Sequence, residues 1–231
     1  MGARVTDESL HLRGLNLDTA HLPDDLAQNA DIFKRTFDIL AASVALILFA
    51  PLILLFALLV RWQDGGNAFF AHTRYGLNGK TFKCYKLRSM AVDAGAQLER
   101  ILATDPAMRR EWQTTQKLQN DPRITKLGQF LRKSSIDELP QFWNVLKGDM
   151  SIVGPRPIVK NEIQKYGDKY RFYISVRPGI TGLWQVEGRT ETTYEERVEM
   201  DVRYVTTRTF WKDVWIVLRT VPAVLASRGA V

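Results

Sequence analysis

Cysteine and histidine are nearly absent from this chain of 231 residues. Cys84 is the only cysteine, which excludes an intrachain disulfide and a cysteine-based zinc site. There are three histidines, and His11 and His21 fall in an acidic stretch at the start. A histidine triad or histidine metal cluster is therefore not expected, and carboxylates must carry any polar chemistry. Low-complexity tracts and internal repeats are also lacking.

What is there begins with an uneven charge. The formal net charge is +7, yet residues 1–33 hold two arginines against six acids, a net −4, which leaves +11 for the remainder. A basic body suits an anionic partner: phosphates, anionic lipid or nucleic acid. Residues 1–30 read as a flexible acidic leader. The next run, Ile39–Val60, has 22 residues and no charge. As a helix it would reach ~33 Å, enough for a bilayer core. Pro51 lies just past its midpoint, with no N–H for the carbonyl of Ile47. A kinked spanning helix and a hairpin that dips in and returns both fit. Lys34 and Arg35 before the run and Arg61 and Arg74 after it give no charge asymmetry, as expected if both ends lie on the cytoplasmic side. The residues alone leave that choice open.

Past the run, Asn78-Gly79 sits between two apolar-aromatic segments and predicts a β-hairpin within residues 68–90. Residues 93–119 have a helical pattern interrupted at Asp105-Pro106, and Asp121-Pro122 marks a turn. Residues 191–206 read as another helix. The tail Phe210–Leu225 is too charged to span; it reads as an amphipathic helix, lying either at a membrane interface or in the core. The fold class expected is α+β, mainly helical.

Ser135-Ile136-Asp137-Glu138 has the Ser-x-x-Glu form of a capping box, with Leu139, Phe142, Trp143 and Leu146 as an apolar stripe and Gly148 as a C-terminal stop. Most such carboxylate pairs simply cap a helix. Here Arg132 and Lys133 come one turn earlier, and Arg156 and Arg177 lie in the proline-fixed loops Gly154-Pro155-Arg156-Pro157 and Arg177-Pro178-Gly179. Arginines held in that way suit bidentate phosphate binding. Together they mark Asp137-Glu138 as a candidate phosphate-chemistry site.

The stretch SIDELPQFWNVLKGDMSIVGPRP, residues 135–157, resembles the signature of the bacterial sugar transferases, the monotopic polyprenyl-phosphate phosphoglycosyl transferases. KRTFDILAA (34–42), FKCYKLRSM (82–90), DPRIT (121–125) and RPGITGLWQVEGR (177–189) match in the same order, so the resemblance covers roughly residues 31–231. It is strongest toward short exopolysaccharide-priming members, undecaprenyl-phosphate galactose or glucose phosphotransferases. The resemblance implies a monotopic protein: a Pro-broken re-entrant membrane helix over 31–62, then a cytosolic-face catalytic domain over 63–231 with a C-terminal interfacial helix. It places the protein at the cytoplasmic face of the bacterial inner membrane.

The resemblance also implies a two-step transfer. Asp137 attacks the β-phosphorus of a UDP-hexose and releases UMP; undecaprenyl phosphate then displaces the aspartate, giving undecaprenyl-diphospho-hexose. Asp137 would be both nucleophile and Mg²⁺ ligand, with Glu138 assisting. Arg132 would hold a phosphate and Arg156 the nucleotide, while Lys86, Arg88, Arg177 and Gln185 fall on further substrate-binding motif positions. Such chemistry needs no histidine, because the acceptor phosphate is already anionic and UMP is a weakly basic leaving group. The membrane bilayer is an implied partner and nucleic acid is not; a homo-oligomer is left open. Family members often have Ser-Pro at the helix break where this chain has Ala50-Pro51, and residues 93–120 form a longer insert than in the smallest members. A non-catalytic membrane-anchored scaffold of polysaccharide assembly is the rival reading. It explains the apolar run and basic body but not the order of motifs.

Overall fold

The structure is a computed structural model that describes residues 24–115, 118–188 and 192–225. The expectation of a flexible leader lies outside them for residues 1–23, while residues 24–30 already belong to the first helix. That helix, α1 (Asp24–Asp64), spans 41 residues and is long and apolar enough to cross a membrane. Residues on both sides of Pro51 belong to this one helix, where two separate arms were expected. A proline removes one backbone hydrogen bond and frees the carbonyl of Ile47, but the neighbouring turns retain theirs.

α1 packs along one side only. Asp38, Ala42, Ile53, Ala57 and Val60 are buried, whereas Leu40, Val44, Ile47, Leu48, Leu54, Leu55 and Leu58 are exposed. The spacing of each set follows the helical period, so the buried stripe and the exposed apolar face are opposite sides of one helix. Both ends are fastened to the same body. At the start, Lys34 pairs with Asp213 at 2.5 Å, Arg35 donates to the carbonyls of Val145 and Leu146, and Asp38 accepts from Ser151 Oγ and Ile152 N. At the end, Asp64 pairs with Arg88 at 2.5 Å.

The expected hairpin forms as β1 (Phe69–Tyr75) and β2 (Thr81–Leu87), antiparallel, with Phe70 opposite Lys86 and Arg74 opposite Phe82. Asn78 and Gly79 take positive φ in the turn, as an Asn-Gly pair readily does. Strand alternation then puts Phe70, Arg74 and Lys86 on one face. The 93–120 segment folds as α2 (Ala94–Thr104) and α3 (Pro106–Thr115), and Asp105 caps α3 by accepting from the N–H groups of Ala107 and Met108. Next come α4 (Lys126–Lys133) and α5 (Gln141–Lys147), which closes on Gly148 at φ +88.

A second, parallel pair was not read from the sequence: β3 (Ser151–Val153) beside β4 (Gly179–Thr181), three residues each. Around it stand α6 (Lys160–Tyr166), α7 (Tyr170–Ile174), α8 (Leu183–Glu187), α9 (Tyr194–Thr207) and α10 (Phe210–Leu225). The main core joins Ala42 of α1 to Val145, Met150, Val153, Leu183, Tyr204 and Ile216. α10 buries Asp213 and Ile216 and turns Trp211, Leu218 and Val221 outward. It is thus a core helix on one face and an apolar surface on the other.

Candidate active site

Asp137 lies in a single 3-10 turn, Ile136–Glu138, between α4 and α5. The expected capping box is not formed. Ser135 takes a left-handed conformation, φ 57 and ψ 14, its side chain caps nothing, and α5 begins only after Pro140. Glu138 instead turns to Lys86, whose Nζ donates to Oε1 at 2.5 Å. The two carboxylates therefore sit on a tight turn ahead of α5 rather than inside its first turn. Left-handed geometry is uncommon for a serine and costs of order 1–3 kcal/mol; here it turns Asp137 inward, where only 6% of the residue is exposed.

The surrounding charges come from four segments. Lys86 arrives on β2, 3.8 Å from Asp137 Oδ2. Arg132 arrives on α4; its Nε donates to Ser89 Oγ at 2.8 Å, and its other nitrogens have no partner among the described residues. Arg156 comes from the 154–157 loop and makes no hydrogen bond or ion pair within them. That loop is held by Gly179 N donating to Pro155 O, by Arg74 donating to Pro157 O, and by a bridge between Tyr75 and Ile158. Arg74 lies close enough to Arg156 for each guanidinium to feel the other.

Burial pushes the Asp137 carboxyl up to about 6, against the pull of Lys86, Arg132 and Arg156 and with a further push from Glu138. It accepts no hydrogen bond from the described residues. Burial also pushes Glu138 up, but Lys86 and Arg156 outweigh it and hold that carboxyl below the usual range. The pair is thereby split. Glu138 is the firmly ionised partner of Lys86, while the Asp137 carboxyl is raised by its burial in spite of the cations around it. Four cations, Lys86, Arg132, Arg156 and Arg74, face these two carboxylates. The surplus positive charge suits a diphosphate brought against Asp137.

Residues 29–227 match the model of the family described as "Bacterial sugar transferase". The chain belongs to that family. Among similar proteins, the exopolysaccharide production protein ExoY of Rhizobium meliloti is 50% identical over 197 residues, 85% of this chain and 87% of that protein. An undecaprenyl-phosphate galactose phosphotransferase of Salmonella typhimurium is 48% identical over 210 residues, covering 90% of this chain and 44% of that protein. A UDP-glucose:undecaprenyl-phosphate glucose-1-phosphate transferase of Escherichia coli is 42% identical, covering 82% of this chain and 39% of that protein. The chain thus spans most of the short relative and less than half of the two longer ones.

In this bacterial sugar transferase, the fold brings Asp137, Glu138, Lys86, Arg132 and Arg156 together. It does not bring three other expected residues to them. Arg88 is consumed by Asp64, Asn67 O, Met90 O and Val60 O, and so anchors the end of α1. Arg177 donates to Gly148 O and lies near Arg35, at the start of α1. Gln185 donates to Ile180 O, behind the Arg156 loop. Arg74, Ser89 and the buried Asp121–Arg123 pair, 2.6 Å apart, were given no role from sequence. Strand alternation could have signalled Arg74, which shares a face with Lys86. DPRIT matched as a motif, but only the fold shows Arg123 and Asp121 flanking Arg132.

No group of three or more His, Cys, Asp or Glu residues stands ready for a metal among the described residues. Mg²⁺ does not require one, since it is commonly bound by one or two carboxylates plus substrate phosphates and water. Asp137, with Glu138 beside it, fits that description: two adjacent carboxylates, of which Asp137 accepts no hydrogen bond from the described residues.

Proposed function

We propose that this chain is a phosphoglycosyl transferase that moves hexose-1-phosphate from UDP-galactose or UDP-glucose to undecaprenyl phosphate, the first membrane step of exopolysaccharide synthesis. The observation that carries the reading is Asp137: buried, accepting no hydrogen bond from the described residues, and facing Lys86, Arg132 and Arg156. A carboxylate raised to about 6 is more basic, hence a better nucleophile, than an ordinary one.

An Asp137 oxygen attacks the β-phosphorus, the bond from that phosphorus to the bridging oxygen breaks, and UMP leaves with the electron pair. The sugar phosphate is then held as a mixed anhydride on Asp137. An oxygen of the lipid phosphate attacks the same phosphorus, and Asp137 departs as the carboxylate it was. No proton must move in either step. Arg132 and Arg156 hold the phosphate oxygens, and Glu138 keeps Lys86 against the reacting group. Mg²⁺, held by Asp137 and Glu138 with substrate phosphates, would neutralise charge on the diphosphate.

We further propose that α1 lies in the membrane bent at Pro51, its deepest part, so that both flanks stay on the side of the body, and that the body lies on the cytoplasmic face. Two features support this. Both ends of α1 are pinned to one body, and the exposed face of α1 is apolar along its length. A scaffold reading leaves the buried nucleophile without purpose.

Incubation with UDP-galactose or UDP-glucose and no lipid tests the transfer. About one UMP per enzyme should be released, and intact mass should rise by one hexose phosphate, lost in Asp137→Asn. UMP release only in the presence of lipid would favour direct transfer without a covalent intermediate. For topology, Cys84 is buried and gives a quiet background. Phe33→Cys and Trp62→Cys, at the two ends of α1, should both resist an impermeant thiol reagent in intact cells and react after lysis.

A further inference from the structure

Beyond Asp137 and Glu138, a further carboxylate borders the cations of the site. Glu162 lies in the first turn of α6 and is partly buried. Its Oε2 accepts from Val159 N at 2.8 Å, the usual reach of a third helical residue back to the helix start. A glutamine would make that cap equally well. The carboxylate has other neighbours that a cap does not need. The same oxygen lies 3.7 Å from Arg74 Nη1 on β1, and Oε1 lies 3.7 Å from Arg197 Nη1 on α9. Both contacts are longer than hydrogen bonds, so they act through charge. The Tyr194 hydroxyl also turns toward Glu162.

Arg74 carries that charge to the site. Its Nη1 donates to Pro157 O at 3.3 Å, and Tyr75 N donates to Ile158 O at 3.1 Å. With Val159 on Glu162, the residues that follow Arg156 are tied in turn to Arg74, Tyr75 and Glu162. Nε and Nη2 of Arg74 have no partner among the described residues. Burial and then Arg156 work against the Arg74 charge, and Glu162 works for it. Arg74 also acts on Glu138: against burial, Lys86, Arg156 and Arg74 all hold that carboxyl down. Arg74 thus answers to two acids, Glu162 outside the reacting pair and Glu138 within it. A negative charge beside an anion site weakens anion binding. In a two-step transfer that loss has a use, because UMP must leave before the lipid phosphate can reach the same phosphorus. We propose that Glu162 is a positioning residue that restrains Arg74, keeping this guanidinium from closing on the phosphate of UMP and so setting how fast the product leaves. The assignment rests on the UDP-hexose reading above.

Glu162→Gln in the full chain in detergent tests it, since glutamine keeps an acceptor for Val159 N and removes the charge. UMP should bind about 5-fold more tightly, the scale of one partly exposed ion pair. Steady-state turnover with lipid should fall by a similar factor, while the quenched single-turnover rate of UMP formation stays that of wild type. A residue that only holds α6 in place would do the reverse, weakening UMP and slowing the first step. Arg74→Met should weaken UMP binding, and in that background Glu162→Gln should change nothing, as a double-mutant cycle requires of a residue acting through another. Glu162→Asp keeps the charge but is too short for Val159 N, so it should bind UMP as wild type does even with a lowered thermal midpoint. Unchanged or weaker UMP binding in Glu162→Gln overturns the assignment, as does tightening that persists without Arg74 or appears in Glu162→Asp. Any of these results beside normal UMP formation by wild type sinks the restraint alone. Wild type that neither forms nor binds UMP sinks the transferase reading with it.

Discussion

Asp137→Asn should make the protein more stable while abolishing transfer. Burial holds the Asp137 carboxyl at about 6 against an ordinary 3.8, so ionising it in the folded state costs free energy. At about 1.36 kcal/mol per pH unit, the gap sets an upper limit of about 3 kcal/mol at neutral pH. For a chain of this size, that corresponds to a rise of about 6–12 °C in thermal midpoint. The sign follows from linkage. The folded state binds this proton more tightly than the unfolded one, so the stabilisation is fully present below about 3.8 and is lost as pH rises through about 6. The advantage of Asn over Asp should therefore be largest above pH 7 and shrink toward zero near pH 4. Thermal unfolding of both proteins in detergent across pH 4–8 measures it. Added Mg²⁺ should narrow the gap at pH 7.5 by stabilising only the aspartate form. Equal midpoints at every pH would refute the claim that Asp137 is a strained anion, and with it the physical basis for its nucleophilicity.

Four further outcomes follow from the same contacts. Transfer by the free enzyme should decline as pH drops below about 6, when Asp137 takes up a proton; a pH–rate profile of UMP release checks it. Lys86→Met removes the cation shared by Asp137 and Glu138, so UMP release should fall 100-fold or more and its acid limb should move to higher pH. Arg88→Leu leaves Asp64 unpaired and frees three carbonyls, which should cost about 3 kcal/mol in unfolding; wild-type stability would remove Arg88 as an anchor and return it to the substrate site. Gly128→Ala would set a Cβ 1.9 Å from Ser89 O, forcing α4 away from the segment that follows β2, so both the thermal midpoint and UMP release should drop; an unaffected enzyme would show that α4 moves freely.

Local rules made much of this fold legible. The Asn78-Gly79 hairpin, the Pro106 helix start and the Gly148 stop each depend on backbone preferences that a few residues impose. The parallel pair of β3 and β4 was not legible, because three residues carry no period and the partners are 28 positions apart in register. The capping box failed for a related reason. Ser135 and Glu138 have the right spacing, but Lys86, which is distant in sequence, takes Glu138 and leaves the serine left-handed. At the site, Asp137, Glu138, Arg132 and Arg156 were visible as motif residues. Arg88 and Arg177 occupy motif positions too, yet they bind carbonyls and hold α1 and α5 in place. A motif marks what a family keeps, and only contacts separate residues that touch a ligand from residues that hold the frame.

That frame ties the membrane helix to the chemistry. α4 is eight residues long, and Phe130 on it packs against Phe56 of α1 with the rings tilted at 31° and their centroids 5.7 Å apart. Two residues later Arg132 donates to Ser89 and lies near enough to Asp137 to feel its charge. On the other side of Asp137, Phe142 of α5 stacks on Phe49 of α1 at 6.4 Å, and Trp143 is half exposed beside it. The turn carrying Asp137 is thus suspended between two short helices, each bolted to α1 by an aromatic pair. Displacing α1 must shift Arg132, or the turn, or both, because helices this short have no length over which to absorb the movement. If α1 lies in the bilayer as proposed, its depth sets the height of Asp137 relative to the lipid headgroups. Phe56→Ala and Phe49→Ala, far from any phosphate, should then slow the lipid-dependent second step more than the release of UMP. Single-turnover measurement of each step separately would show it, and equal slowing of both would detach the membrane helix from acceptor placement.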